Sequence, residues 1–187
     1  MSAEGHNVRA LGPDQPESQG QWEHVKIKQS NIKGRKGSSL ANNIVKFLKQ
    51  NLDGCNLLFV DWPLVGKVGA FADKKNIPWV CIDRSPPADS GLFAALQSKV
   101  WRKAWKYVSI STELKSCLGG TVVSKTHSEI ISEKFGVKPE MLCVLMAGVN
   151  ISQFNPKPDK KRLSGLNLVY HGRIDRNRGI MNLPLIL

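Results

Sequence analysis

The sequence predicts an α/β fold with a doubly wound parallel sheet covered by helices. Two apolar runs, 56–61 and 79–82, end in or precede an aspartate, as buried parallel strands often do. The segments between such runs carry apolar residues at helical spacing. Because strands alternate with helices along the chain, the crossovers would place successive strands parallel in one sheet.

Size and charge narrow the class of protein. The chain has 187 residues, and 41% of them are hydrophobic, which is enough for a globular domain with a core and the start of another. Its net charge is +12. Such a field favours anionic partners, among them sugar nucleotides, phospholipid surfaces and nucleic acid, although an ordinary basic surface has the same composition.

The cysteine pattern and the length of the apolar runs bear on where in the cell the protein is expected to lie. No two of the four cysteines form a CxxC pair, and Cys55, Cys81 and Cys143 lie in or next to apolar runs. We therefore expect reduced thiols in the core rather than disulfides or zinc ligands. The first residues lack a signal-peptide pattern, and no apolar run reaches the length of a membrane span. These features predict a cytoplasmic protein, with peripheral membrane contact left open.

The expected elements follow one another at regular intervals. Ser38 or Ser39 is the expected cap of the first helix, Pro63 the expected start of the second, and Gly136 the expected end of the last. Val25 and Ile27 are expected to point inward from their strand. Strands are predicted over 7–11, 22–28, 56–61, 79–82, 107–110, 121–124, 142–145 and 166–171, and helices over 40–52, 63–75, 90–106 and 126–135.

Ligands of open parallel sheets bind at the carboxyl ends of the strands. The polar residues expected at that edge are Asp61, Trp62, Asp83, Arg84, Ser85, Ser124 and Lys125. Spacing alone does not identify the ligand.

Two other patterns are weaker. The loop 34–39 resembles a phosphate loop at a helix start, but it lacks the order of a nucleotide-binding P-loop, and a solvated basic loop is the simpler interpretation. The four histidines show no ligand spacing, so no metal site is expected.

The predicted helix 90–106 has two distinct faces. Trp101 and Trp105 belong to a broad apolar arc, and a cationic group lies opposite, formed by Lys99, Arg102, Lys103 and Lys106. A helix of this kind suits an anionic membrane interface, with the tryptophans in the lipid. It equally suits a core helix with a solvated basic face, and both interpretations stay open.

The strongest pattern is an ordered series of motifs from 121 to 187. A strand ending in Ser124-Lys125 leads to a helix ending at Gly136, followed by Gly148-Val149-Asn150 and by Phe154-Asn155-Pro156. A His171-Gly172-Arg173-Ile174 turn and then Arg178-Gly179 follow. This order resembles retaining glycosyltransferases of family 4, which have the GT-B fold of two Rossmann-like domains.

The resemblance extends less strongly to the start of the chain. Gly5-His6-Asn7-Val8 is similar to the family's junction between its first helix and second strand. The resemblance implies that the chain is truncated at both ends relative to members of this family. Residues 1–154 would form the acceptor-side Rossmann-like domain without its first strand, 155–165 a linker, and 166–187 the first strand and turn of the donor-binding domain.

The resemblance also implies a function and a set of site residues. The parent enzyme would transfer a sugar from a nucleotide-sugar donor to an unknown acceptor, with retention and with no cofactor or metal. A membrane-linked acceptor is left open. Gly172, Arg173 and Arg178 would bind the donor diphosphate, Arg178 replacing the family's lysine. Asp83 and Arg84 occupy the place of the family's histidine near the reacting sugar, and they could instead pair with each other as a structural cap.

Missing motifs limit the expected activity. The family's Glu-x7-Glu motif would lie beyond Leu187, so the fragment is expected to be inactive alone. The alternative is a non-catalytic basic α/β module that binds an anionic membrane or nucleic acid through its basic helix and the loop 26–36. Nucleic acid is disfavoured because that loop lacks interleaved aromatic residues.

Overall fold

The computed structural model of the chain describes residues 5–14, 22–32, 35–84 and 92–146, with side chains in the last range described from Ala95 onward. The predicted linker 155–165 and the predicted segment 166–187 lie outside the described residues. In chain order the strands are β1 Arg9–Gly12, β2 Glu23–Lys26, β3 Leu58–Asp61, β4 Trp79–Ile82, β5 Cys117–Val122 and β6 Leu142–Val144. The α-helices are α1 Lys36–Gln50, α2 Ala70–Lys74, α3 Leu92–Glu113 and α4 Lys125–Phe135.

All strand pairs in the described residues are parallel. One sheet has the order β3-β4-β5-β6, and β1 and β2 form a separate two-stranded sheet. The predicted α/β class with a parallel sheet flanked by helices is therefore confirmed. The sequence predicted one sheet, whereas β1 and β2 pair only with each other among the described residues. Ile27, just after β2, still joins the same hydrophobic core as the larger sheet.

The core lies between one face of the four-stranded sheet and the helices. Trp79 and Cys81 alternate with half-buried residues along β4 and are fully buried. Trp105 and Val108 of α3 are also fully buried and belong to the same core. Alternation in a strand and helical spacing in its neighbour thus bring two apolar faces together.

Helix α1 has the predicted apolar face but not the predicted cap. Ile44 and Leu48 are buried in the core. The helix begins at Lys36, earlier than expected, with no side-chain cap at Arg35. Both candidate cap hydroxyls accept hydrogen bonds from other groups, Ser39 Oγ from the Ser30 backbone N–H and Ser38 Oγ from Lys67 Nζ.

The helix predicted over 63–75 is divided into three types of helical turn. A 3-10 turn, Trp62–Leu64, has Pro63 near its start, a π-helical turn follows over Val65–Gly69, and α2 completes the segment. Gly69 lies against the indole of Trp79, where a Cβ atom would be 3.1 Å from the ring. Single π-helical turns are rare and interrupt the regular hydrogen bonding of a helix.

Two predicted strands are corrected. Residues 107–110 are not a strand, because α3 continues through them to Glu113 and Val108 remains on its buried face. Strand β5 begins at Cys117 rather than at 121 and includes Gly119 and Gly120. The close approach of Trp105 explains why position 120 is a glycine, because a Cβ there would lie 2.6 Å from the indole.

The remaining predictions agree in part. Helix α4 ends at Gly136, whose φ of 72° is the left-handed conformation expected of a terminal glycine. All four cysteines are free, and Cys81 and Cys117 are buried, but Cys143 is exposed and so is not a core thiol. Burial raises the pKa of Cys117 to about 12. None of the described helices combines the length and the apolarity that a bilayer crossing requires.

Candidate functional site

The carboxyl ends of the strands bring several predicted residues to one edge of the sheet. Asp61 closes β3, Asp83 and Arg84 directly follow β4, and Ser124 lies just beyond β5. Because Asp61 is in register with Ile82, and Ile82 with Thr121, these positions are neighbours across three parallel strands. Ser85 lies outside the described residues.

Arg84 is exposed at this edge. Its guanidinium lies 3.3 Å from the carboxylate of Asp61, and the two side chains are 78% and 43% exposed. The sequence had suggested a pair between Arg84 and Asp83, whereas the partner of Arg84 here is Asp61. Such an exposed pair contributes little stability and leaves the guanidinium accessible to an anionic ligand.

Asp83 lies beneath the surface, with 1% of its area exposed. Its Oδ2 atom accepts hydrogen bonds from the indole N–H of Trp101 at 2.6 Å and of Trp105 at 2.9 Å. Trp101 and Trp105 are one helical turn apart on α3, so one carboxylate oxygen holds two successive turns of that helix. Asp83 therefore joins the end of β4 to α3.

The same contacts explain the ionisation of Asp83. Burial raises the pKa of a carboxyl group because it disfavours the charged form. The nearby imidazole of His127 and the hydrogen bonds donated by Trp101 and Trp105 oppose this effect, and the pKa of Asp83 is lowered from its ordinary value. The side chain is thus a buried carboxylate at neutral pH.

His127 completes the buried group and was missed by the sequence analysis. Its Nε2 atom lies 3.3 Å from Oδ2 of Asp83, and its ring stacks on Trp101 with centroids 6.4 Å apart. The described residues offer no well-aligned hydrogen-bond partner to either ring nitrogen. The available signal was positional, because a histidine in the first turn of the helix after β5 must lie near the carboxyl ends of the strands.

Ser124 has a structural role at this edge. Its Oγ atom accepts a hydrogen bond of 3.1 Å from the His127 backbone N–H and caps α4. This cap fixes the start of α4 and therefore the place of the His127 ring. Lys125, the next residue, is exposed.

The geometry separates the two residues that the sequence analysis grouped as catalytic. Arg84 is accessible, whereas Asp83 is 1% exposed and lies against two indoles and an imidazole. Burial favours a structural role for Asp83, with Trp101 and Trp105 as its partners instead of Arg84. Asp83 can act on a ligand only by holding neighbouring groups in place.

The basic helix also differs from its membrane-interface interpretation. Trp101 is 6% exposed and Trp105 is fully buried, so neither indole is available to enter a lipid surface. The core-helix alternative is correct for these two residues. The four predicted cations of this helix are all exposed: Lys99, Arg102, Lys103 and Lys106.

The predicted donor site lies elsewhere in the chain. Gly172, Arg173 and Arg178 fall outside the described residues. Within the described part of the chain, no group of three or more His, Cys, Asp or Glu side chains could hold a metal ion. No protein-family model matches the chain, and a search of curated proteins also finds no match.

Proposed function

We propose that this chain is part of a glycosyltransferase that transfers a sugar from a nucleotide-sugar donor to an acceptor, and that residues 1–154 belong to the acceptor side. The observation that carries the proposal is the ordered series of motifs from 121 to 187. The described part of that series is compatible with it, since strand β5, the Ser124 cap, helix α4 and Gly136 follow in the expected order.

The proposal gives distinct roles to the cationic side chains. A departing nucleoside diphosphate develops negative charge, which arginine side chains stabilise without a metal. Arg173 and Arg178 are the proposed diphosphate ligands. Arg84, exposed at the carboxyl edge of the sheet, is the proposed contact for an anionic group of donor or acceptor. Asp83 positions the surrounding elements.

The test is release of UDP or GDP from nucleotide sugars by the protein encoded by the whole reading frame. We expect Arg173→Ala to lower kcat about 100-fold or more, because it removes a ligand of the leaving group. Lys138→Ala, which removes an exposed cation elsewhere, is the matched control. A protein that neither releases nor binds UDP or GDP would contradict the proposal.

A second candidate function is binding to an anionic membrane through α3. The supporting observation is a set of exposed apolar side chains on and just beyond this helix, in place of the predicted tryptophans, which are buried. Leu96, Val100 and Ile110 of α3, and Leu114 just beyond its end, are 40–73% exposed and lie on the same side of the helix. At helical spacing Lys103 lies among these apolar residues, and Lys99, Arg102 and Lys106 lie to one side of them. Exposed apolar and cationic side chains therefore share this side of α3, as in helices that lie in an anionic interface.

Liposome co-sedimentation tests this candidate. Changing Lys99, Arg102, Lys103 and Lys106 to Glu should abolish binding to anionic vesicles, and Leu96→Ser with Val100→Ser should weaken binding without a change of charge. Unchanged binding of the Glu variant would eliminate α3 as the membrane surface.

A further inference from the structure

A basic groove lies between α1 and the helical segment 65–74. It has a volume of about 480 Å³ and shares no lining residue with the carboxyl edge of the sheet. Its size is in the range of small-molecule sites. Four lysines and an asparagine line it together with apolar residues and a glycine: Asn42, Val45, Lys46, Lys49, Gly66, Lys67, Ala70, Phe71 and Lys74.

The charge of the groove is uncompensated. No acidic residue lines it. None of Lys46, Lys49, Lys67 and Lys74 forms an ion pair in the part of the chain that the structure describes. Ammonium groups gathered without a carboxylate repel one another, so the arrangement gains free energy when an anion enters.

Lys67 differs from an ordinary surface lysine because its ammonium group is held in place. Its Nζ atom donates hydrogen bonds to Ser38 Oγ at 2.9 Å and to Asn42 Oδ1 at 2.6 Å. Both acceptors belong to α1, whereas Lys67 lies in the π-helical turn. An ammonium group has three donors, so one N–H remains for a ligand, and the side chain is already ordered before the ligand binds.

The rest of the groove adds contact surface and room. Val45, Ala70 and Phe71 provide apolar lining, and Phe71 is buried. A Cβ at Gly66 would meet no atom within 4 Å, so the backbone there is open to a bound group. Lysine ammonium groups are compact point charges that bind phosphate oxygens, and four of them around one groove match a ligand that carries several negative charges.

We propose that this groove binds a ligand that carries two or more phosphate groups, with Lys67 as the positioned contact and Lys46, Lys49 and Lys74 as the surrounding cations. A free oligophosphate and the phosphorylated headgroup of a lipid share this chemistry. The groove shares no lining residue with the carboxyl edge of the sheet, and this inference does not depend on the proposed glycosyltransferase activity.

The probes are inorganic tripolyphosphate, followed by calorimetry, and phosphatidylcholine vesicles with or without phosphatidylinositol bisphosphate, followed by co-sedimentation. The whole chain is used at physiological ionic strength, because general attraction to the basic surface is screened there. We expect saturable binding of tripolyphosphate or of the phosphoinositide vesicles, and much weaker binding of orthophosphate or of plain vesicles.

Two variants with equal charge separate the groove from the rest of the surface. Lys46→Gln with Lys67→Gln should weaken binding about tenfold or more, since it removes two charge-assisted contacts. Lys134→Gln with Lys138→Gln removes two exposed cations outside the groove and should change affinity less than about twofold. Gly66→Tyr fills the groove without changing its charge and should also weaken binding. Circular dichroism checks that each variant is folded.

The outcomes distinguish the sources and decide the proposal. Binding of tripolyphosphate that Lys46→Gln with Lys67→Gln weakens supports a soluble ligand. Binding confined to phosphoinositide vesicles, with the same sensitivity, supports a lipid headgroup. The proposal is overturned if neither probe binds, if both double variants weaken binding equally, or if folded Gly66→Tyr binds as the wild type does.

Discussion

Two aspartates hold the long helix α3 to the two ends of strand β4, and they do so with different partners. Asp83, after the strand, accepts hydrogen bonds from the indoles of Trp101 and Trp105. Asp73, before the strand, accepts them from Tyr107 and Ser111 of the same helix. In each pair the donors are four residues apart, so each carboxylate contacts two side chains that lie one turn apart on the same side of α3.

The two ends differ in depth and in the chemistry of the donors. Asp83 is 1% exposed and lies beside the titratable His127, whereas Asp73 is half-buried. Asp73 also accepts a hydrogen bond of 2.6 Å from the indole of Trp79. Burial raises the pKa of Asp73, but the hydrogen bonds from Tyr107, Trp79 and two serines outweigh burial and lower it.

Hydrogen bonds from α3 to an aspartate carboxylate therefore have different roles at the two ends of β4. At the amino end of β4, Asp73 and its neutral donors fix the register of α3 against the sheet. At the carboxyl end, where ligands of parallel sheets bind, the buried carboxylate of Asp83 also lies next to the imidazole of His127. Loss of the deeper carboxylate should therefore cost more than loss of the shallower one.

The largest expected effect is that of Asp83→Leu. It leaves two buried indole N–H groups without an acceptor and should lower the free energy of unfolding by about 3–5 kcal/mol. Asp83→Asn keeps a carbonyl oxygen and should cost less, and Asp73→Leu should also cost less because its site is shallower. Urea denaturation at neutral pH measures all three. Equal losses for Asp83→Leu and Asp73→Leu would remove the distinction between the two ends.

A smaller difference is expected between two glycines that lie against tryptophan rings. A Cβ at Gly120 would lie 2.6 Å from Trp105, on the Asp83 side, and one at Gly69 would lie 3.1 Å from Trp79, on the Asp73 side. Gly120→Ala should cost about 2–3 kcal/mol and Gly69→Ala about 1 kcal/mol, because overpacking forces the rings to move. Thermal unfolding compares the two. A larger loss for Gly69→Ala would show that the Asp73 side is the more rigid.

The smallest effect concerns the alkaline side of the pH range. Burial, together with the hydrogen bond to Asp73, raises the pKa of Tyr107 to about 12. The protonated phenol of Tyr107 therefore stabilises the folded state. Its contribution to the free energy of unfolding is fully present below about pH 10, where an unfolded tyrosine titrates, and is lost as the pH rises towards 12.

Tyrosinate absorbance tests this expectation. Asp73→Asn removes the negative charge beside the phenol and should move the high-pH step of the titration to lower pH, whereas Asp83→Asn should leave it in place. Loss of the high-pH step in the Tyr107→Phe variant would assign that step to Tyr107. A titration unaffected by Asp73→Asn would contradict the contact between Asp73 and Tyr107.

Much of the architecture follows from local patterns. Strand β4 has its predicted bounds, and α1 buries Ile44 and Leu48, because alternation and helical spacing record which face of an element is apolar. The end of α4 was predictable because Gly136 adopts a positive φ, which other residues rarely adopt. The edge with Asp61 and Arg84 followed from the parallel order of the strands.

Other features depended on contacts between distant parts of the chain. The apolar run 107–110 has the composition of a strand, yet the preceding turns of α3 continue through it. Asp83 and Arg84 are neighbours in sequence, but their side chains take different partners, one buried and one exposed. Composition cannot predict which partner each side chain takes. The choice depends on which of the two side chains becomes buried when the helices pack on the sheet.

The sequence by itself determined the α/β class, the parallel order and most of the apolar faces, since these are set by the spacing of residues within one element. Only the tertiary structure decided that Trp101 and Trp105 face Asp83 rather than a membrane, that His127 lies beside them, and that Lys67 is held by α1. The physical reason is that burial and hydrogen-bond partners are properties of the packed chain, because they depend on residues far apart in sequence.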